Sequence, residues 1–168
     1  SCTSIHSMLR HYRTGNFSKA LMLFDGLPTH YKKTFSGFDI EIALTLKTGD
    51  FKRTESAIST VALFFPSWLQ PDIARVDLAI AQSRPILPRA IRERMIQRPE
   101  RLDLWRALGR FAQAFKQEHF MFEARGWDAL LHGKIEAAST QLKRARASWP
   151  STLDQRPLDL LDHAIKQS

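Results

Sequence analysis

Apolar residues along this chain recur at the three- and four-residue intervals of an amphipathic helix. Phe17, Ala20 and Phe24 follow one glycine in this way, and the stretches after Gly49 and Gly133 repeat the pattern. Such spacing places the apolar side chains on one face of a helix, where they pack against a neighbouring helix. Strand-like alternation of apolar and polar residues is absent, so the pattern predicts an all-α protein.

The turns between these helices also repeat. Gly15-Asn16-Phe17 and Gly49-Asp50-Phe51 share one pattern and lie 34 residues apart, which is the period of helix–turn–helix repeats. Glycine is expected to end the first helix, because only glycine adopts a left-handed backbone at little cost. Asn or Asp is expected to accept hydrogen bonds from the free N–H groups of the second helix. The turn motif therefore predicts paired helices.

Prolines mark the ends of the second helices, because proline cannot continue a helix. Pro66 and Pro150 each lie 17 residues after the glycine of their repeat, whereas Pro28 comes early and shortens the helix before it. The pattern predicts ten helices, near residues 3–14, 17–26, 35–48, 51–65, 72–83, 87–97, 101–115, 118–132, 134–148 and 155–167.

Composition agrees with this assignment. Hydrophobic residues make up 43% of the 168 residues, while seven glycines and eight prolines are too few for the turns of a many-stranded β fold. No apolar run approaches the ~18 residues of a membrane span. The aromatic residues at helical spacing are expected to pack between helices; they include Phe24, Phe64, Phe111, Phe115, Phe120 and Phe122.

Two sets of residues match positions of a known repeat. The first set is Gly126, Gly133, Ala138, Leu142 and Pro150, and the second is Trp105, Leu108 and Gly109 in a Trp-x-x-Leu-Gly motif. In these positions the chain resembles tetratricopeptide repeat (TPR) proteins, although Arg84-Pro85 replaces the glycine turn of the middle unit. The resemblance implies stacked antiparallel helix pairs, about five hairpins forming a right-handed superhelix, in a single TPR-like repeat domain over residues 1–168.

A finer resemblance involves residues 101–146. Leu104-Trp105-Arg106-Ala107-Leu108, Leu130-Leu131-His132-Gly133 and Gln141-Leu142-Lys143-Arg144-Ala145 are similar to the C-terminal TPR region of periplasmic zinc metallopeptidases of the β-barrel assembly-enhancing type. In that family a separate N-terminal domain cleaves peptides, and the TPR region docks on the outer-membrane assembly machinery. The resemblance implies a periplasmic, outer-membrane-associated protein.

The TPR resemblance also implies where a partner binds, because the first helix of each pair lines the concave groove. Carried over by position, the groove residues are Tyr12, Arg13, Lys47, Asp77, Arg106, Arg110, Gln113 and Trp127. The repeat unit that begins at Trp105 and the unit that contains Gly126 are offset by half a repeat, so two pairings of the last three helices are possible. In the first pairing Trp127 lines the groove, and in the second it turns into the core.

The charge of the chain indicates what kind of partner it could bind. The net charge is +8, and residues 84–110 hold eight arginines against three acidic residues. This stretch is either a solvated face or an electrostatic footprint for an acidic or carboxylate-ended protein segment, since arginine binds carboxylates bidentately.

The sequence contains no motif that is typical of a catalytic site or a metal site. None of the six histidines has the His-Glu-x-x-His context of a zinc peptidase, and the single cysteine, Cys2, excludes an internal disulfide. We therefore expect no catalytic residue, metal, cofactor or small-molecule substrate. Membrane contact is expected only through a lipid on Cys2, as in a lipoprotein; the alternative is an ordinary residue near a truncated N-terminus.

The leading hypothesis is a non-catalytic protein–protein interaction scaffold linked to envelope or outer-membrane protein assembly. One alternative is an RNA-binding helical repeat, since the stretch from Gly15 to Pro28 is similar to a pentatricopeptide unit. The paired polar residues with which such modules read nucleic acid do not recur, however. The other alternative is the non-catalytic fragment of a zinc metallopeptidase, for which a His-Glu-x-x-His helix upstream of Ser1 would be decisive.

Overall fold

The computed structural model describes residues 2–168, and in that part of the chain it contains eleven α-helices and no strand. The all-α prediction is confirmed. The helices are α1 (Cys2–Arg13), α2 (Phe17–Asp25), α3 (Thr29–Lys32), α4 (Phe35–Thr48), α5 (Phe51–Phe64), α6 (Gln70–Ala81), α7 (Arg89–Gln97), α8 (Leu102–Phe115), α9 (Glu118–Leu131), α10 (Ile135–Ser148) and α11 (Arg156–Lys166).

The ten predicted helices are all present, with ends displaced by two residues at most, and α3 is the one helix that was not predicted. This helix is a single turn, and Pro28 occupies its N-cap position without a side-chain cap. Proline suits this place because the first residues of a helix have no intrahelical partner for their N–H groups. Four residues are too few to display an apolar period, so the sequence pattern does not reveal such a turn.

The packing contacts divide the chain into two compact units, with the boundary between Gln82 and Ser83. In the first unit, α1 packs on α2, α2 on α4, and α5 on both α4 and α6. In the second unit, α8 packs on α9, α9 on α10 and α10 on α11, which also contacts α9. Most of these contacts join helices that are neighbours in sequence.

Glycine ends three helices as predicted. Gly15, Gly49 and Gly133 have φ angles of 79°, 79° and 75°, in the left-handed region. After each glycine the next residue donates its N–H to a carbonyl five residues back, as Asp50 does to Thr45 at 3.0 Å. These bonds satisfy carbonyl groups at the end of the helix. The three turns therefore share one geometry.

The two predicted caps differ. The Asp50 side chain accepts a hydrogen bond from the N–H of Arg53 at 3.3 Å and caps α5. Asn16 occupies the equivalent position before α2 but makes no side-chain cap, and its Nδ2 lies 3.4 Å from Nδ1 of His11. The prediction of a cap is confirmed for Asp50 and wrong for Asn16, because the amide turns back toward α1.

Apolar side chains fill both units. In the first unit one cluster contains Met8, Phe24 and Leu44, all fully buried. Phe64 is 60% exposed, so the prediction that it packs in the core is wrong. It is the last residue of α5, and its ring lies beside those of Phe38 and Phe65, with centroids 6.3 and 6.4 Å away.

In the second unit, α9 and α11 approach each other closely. A Cβ built at Gly126 would lie 2.8 Å from Cδ2 of Leu161, so α11 approaches the backbone of α9 at this residue. Nearby, the rings of Trp105 and Trp127 are stacked with centroids 5.0 Å apart and planes within 6°. Trp105 also donates its indole N–H to the carbonyl of Pro99 at 2.8 Å. These contacts fix α9, on which the candidate site is built.

Candidate functional site

An open groove of about 510 Å³ lies between α8 and α9 in the second unit. Its floor includes Gly109 and Ala124, and a Cβ built on Gly109 would stand 3.8 Å from the Cβ of Ala124. Because both residues are small, the two helices leave space between them at this level. Longer side chains stand on either side, with Arg106 and Gln113 on α8 and Arg125 on α9.

The groove carries net positive charge. Arg106 and Arg125 both line it, both are exposed, and neither has an acidic partner within residues 2–168. Asp128 is the acidic residue of the lining, and its Oδ1 lies 2.9 Å from Nδ1 of His132. Two guanidinium groups therefore face one opening while the nearby carboxylate is already in contact with a histidine.

The groove continues across α9. A second cavity of about 360 Å³ lies between α9 and α10, and it shares Arg125 and Asp128 with the first. Lys134 and Gln141 belong to its lining, and Lys134 adds a third cation. Three consecutive helices thus form one polar surface, which suits an extended ligand better than a compact one.

The predicted groove residues of the second unit have different outcomes. Arg106 and Gln113 line the same cavity, and Arg110 is exposed on the same helix. Trp127 is only 3% exposed and stacks on Trp105, so the prediction that it offers a binding platform is wrong. The reason is that α9 packs against α8, α10 and α11, which turns this ring into the core, as in the second of the two pairings.

The sequence pattern does not reveal the residues of α9 and α10 that complete the groove. Arg125 and Asp128 are three residues apart and His132 follows four residues later, so all three share one helical face. That spacing was visible in the sequence. It indicates a site only once α8 and α10 are known to flank α9, and the sequence does not determine this pairing.

The predicted groove residues of the first unit are partly brought together. Tyr12 packs edge-on against Phe17 with centroids 5.8 Å apart, and Nζ of Lys47 lies 5.6 Å from the centroid of the same Phe17 ring. Arg13 is exposed at the end of α1, and Asp77 is half-buried on α6. The Phe17 ring therefore links Tyr12 to Lys47.

A buried ion pair supports the second unit from inside. Glu123 is fully buried on α9, and both of its carboxylate oxygens accept hydrogen bonds from one terminal nitrogen of Arg92, at 2.6 and 2.7 Å. Burial raises the pKa of Glu123, and the Arg92 charge opposes that rise. Burial, together with the same arginine, lowers the pKa of His119 at the start of α9.

Comparisons with protein-family models, with curated proteins and with solved structures find no match to this chain. Among residues 2–168, no three His, Cys, Asp or Glu side chains gather in a way that could hold a metal ion. Within the same residues, no helix combines the length and apolar character needed to cross a bilayer.

Proposed function

We propose that this chain is a TPR-type scaffold that binds an acidic segment of a partner protein in the groove of α8, α9 and α10. The observation that carries the proposal is the pair of guanidinium groups, Arg106 and Arg125, that line one groove without an acidic partner in the described chain. Arginine binds carboxylates through paired hydrogen bonds, and the pattern of small floor residues leaves room for a peptide backbone.

We propose further that the protein acts in assembly of the cell envelope. The resemblance of residues 101–146 to periplasmic TPR regions supports a role in envelope or outer-membrane protein assembly, either in a scaffold or in the non-catalytic part of a peptidase. The groove lies within the same stretch of sequence that carries this resemblance. Acidic segments of envelope proteins are accordingly the partners that we propose.

The groove can be tested with two labelled peptides. A fluorescein-labelled peptide of alternating Glu and Ala is titrated with the protein, and a Gln-Ala peptide of the same length is the neutral control. We expect Arg106→Gln with Arg125→Gln to weaken binding of the acidic peptide tenfold or more, since a charged hydrogen bond contributes ~1.5–3 kcal/mol and tenfold is ~1.4 kcal/mol. Raising the salt concentration should weaken it too, because exposed charges are screened beyond ~8 Å.

A matched control removes the same charge elsewhere. Arg84→Gln with Lys143→Gln changes two exposed cations of the second unit that do not line the groove, and binding should stay within about twofold. Equal loss in both double variants would indicate attraction by overall charge and would contradict the groove. Tighter binding of a labelled oligouridine than of the acidic peptide, lost in the groove variant, would favour the RNA-binding alternative instead.

A further inference from the structure

The second unit has a smaller pocket on a different face of α9 from the groove. It has a volume of about 300 Å³ and is formed by α7, the start of α9 and the connection between α10 and α11. Ligand pockets run from ~300 to ~1,000 Å³, so this one accepts a group of about side-chain size.

The wall of the pocket is partly apolar. Leu87, Phe120 and Leu153 belong to its lining, and Phe120 is 7% exposed. Trp149 packs edge-on against Phe120 with centroids 5.9 Å apart, and its indole N–H donates to the carbonyl of Asp154, a lining residue, at 3.2 Å. An apolar side chain that enters the pocket therefore meets an ordered surface.

Most charged side chains of the lining already have an ion-pair partner. Arg92 is held by the buried Glu123, and its guanidinium lies 5.2 Å from the centroid of the Phe120 ring. At the rim, Arg156 forms ion pairs with Glu93 at 2.8 Å and with Asp154 at 2.6 Å. Each acidic residue of the lining is thus engaged by an arginine.

Arg89 is the exception. It is exposed, it belongs to the lining, and no hydrogen bond or ion pair of its side chain occurs within residues 2–168. One guanidinium whose donors are not engaged in the described chain thus stands beside a partly apolar pocket, while the single charge of Arg156 is shared between Glu93 and Asp154. The complementary ligand carries a single negative charge beside an apolar group, because a polyanion would gain only one cation and would leave the apolar wall unused.

We propose that this pocket binds an apolar group that carries a carboxylate, with the apolar part against Leu87, Phe120 and Leu153 and the carboxylate at Arg89. The C-terminal residue of a polypeptide and a free aromatic or aliphatic acid share this chemistry. Arg89 is suited to it because a guanidinium can donate two parallel hydrogen bonds to a carboxylate. The site is separate from the groove and does not depend on the function proposed for it.

The test is a titration of the ¹⁵N-labelled full chain, followed at the indole N–H of Trp149. The probes are N-acetyl-L-phenylalanine, its amide, and 3-phenylpropionate. We expect the acids to shift this signal. The amide should bind at least tenfold more weakly than the acids, since a charged hydrogen bond is lost. Tighter binding of the acetylated amino acid than of 3-phenylpropionate identifies a polypeptide terminus as the source, and the reverse order identifies a free acid; both results support the proposal.

Two variants separate the parts of the site. Arg89→Gln should weaken the acids tenfold or more and leave the amide unchanged, whereas Leu153→Ala should weaken acid and amide alike. Arg144→Gln, an exposed arginine outside the lining, is the matched control and should leave all probes unaffected. Equal binding of acid and amide, acid binding that Arg89→Gln does not change, or no shift with any probe would overturn the proposal. These probes and variants differ from those of the groove, so each proposal can fail without the other.

Discussion

Glycine inside a helix lowers stability by ~1 kcal/mol relative to alanine unless the surrounding atoms leave no space for a side chain. Gly37 and Gly109 both lie inside helices, but their surroundings differ. A Cβ on Gly37 would overlap the carbonyl oxygen of Tyr31 and lie 2.7 Å from that of Lys32, whereas a Cβ on Gly109 would meet only Ala124, at 3.8 Å.

These two glycines give opposite expectations. Gly109→Ala should raise the free energy of unfolding by up to ~1 kcal/mol through helix propensity. Gly37→Ala should lower it by ~1–3 kcal/mol, because backbone atoms rather than flexible side-chain ends must move. Urea denaturation of both variants checks this pair. A stabilised Gly37→Ala variant would show that the turn around α3 is more adaptable than its packing indicates.

His119 makes stability depend on pH. Burial, with Arg92 nearby, holds its folded pKa below the ordinary 6.5, so the folded state binds the proton less readily than the unfolded state. Its contribution is therefore complete above pH 6.5 and is lost as the pH falls from there through the folded pKa. We expect His119→Gln to lose less stability than the wild type between about pH 7.5 and about pH 5.

The control for this titration is His163→Gln, which replaces an exposed histidine of α11. The same urea denaturation series on that variant controls for the removal of a histidine from an exposed position. An unchanged slope in His119→Gln would show that another group causes the loss of stability in acid.

At the scale of elements, the two N-caps provide a paired comparison. Asp50→Ala removes a hydrogen bond to the N–H of Arg53 and should lower the free energy of unfolding by ~1 kcal/mol. Asn16→Ala removes no cap bond and should cost less than half of that value. Thermal and urea denaturation of both variants measure the difference. Equal costs would mean that the Asn16 amide caps α2 in solution.

The helices could be predicted from the sequence because the patterns that indicate them are local. The apolar period and the Gly49 turn depend on residues within one helix pair, so the positions of ten helices could be predicted. Trp127 could not be assigned, because its exposure depends on which helices flank α9. The groove residue Arg125 was missed for the same reason, since an exposed arginine becomes part of a site only through the helix beside it.

At the scale of the whole molecule, the two compact units predict separable folding. The fragments 1–82 and 83–168 should each give a helical circular dichroism spectrum and a cooperative melting transition when expressed alone, since the contacts gather within each unit. Both exceed the ~40 residues below which domains usually need added stabilisation. A fragment of residues 1–65, which lacks α6, is the control and should melt less cooperatively. A disordered spectrum from either of the two full units would contradict this prediction.

The stacked rings of Trp105 and Trp127 have an optical consequence. The electronic transitions of two stacked indole rings 5.0 Å apart couple, and paired bands of opposite sign appear in the far-ultraviolet circular dichroism spectrum in proportion to the rotation of one in-plane transition moment against the other. Trp68 is the tryptophan of the first unit and has no second indole in that unit with which to couple. The paired bands therefore report on the second unit alone, and they supply an intrinsic signal for its unfolding without any attached label.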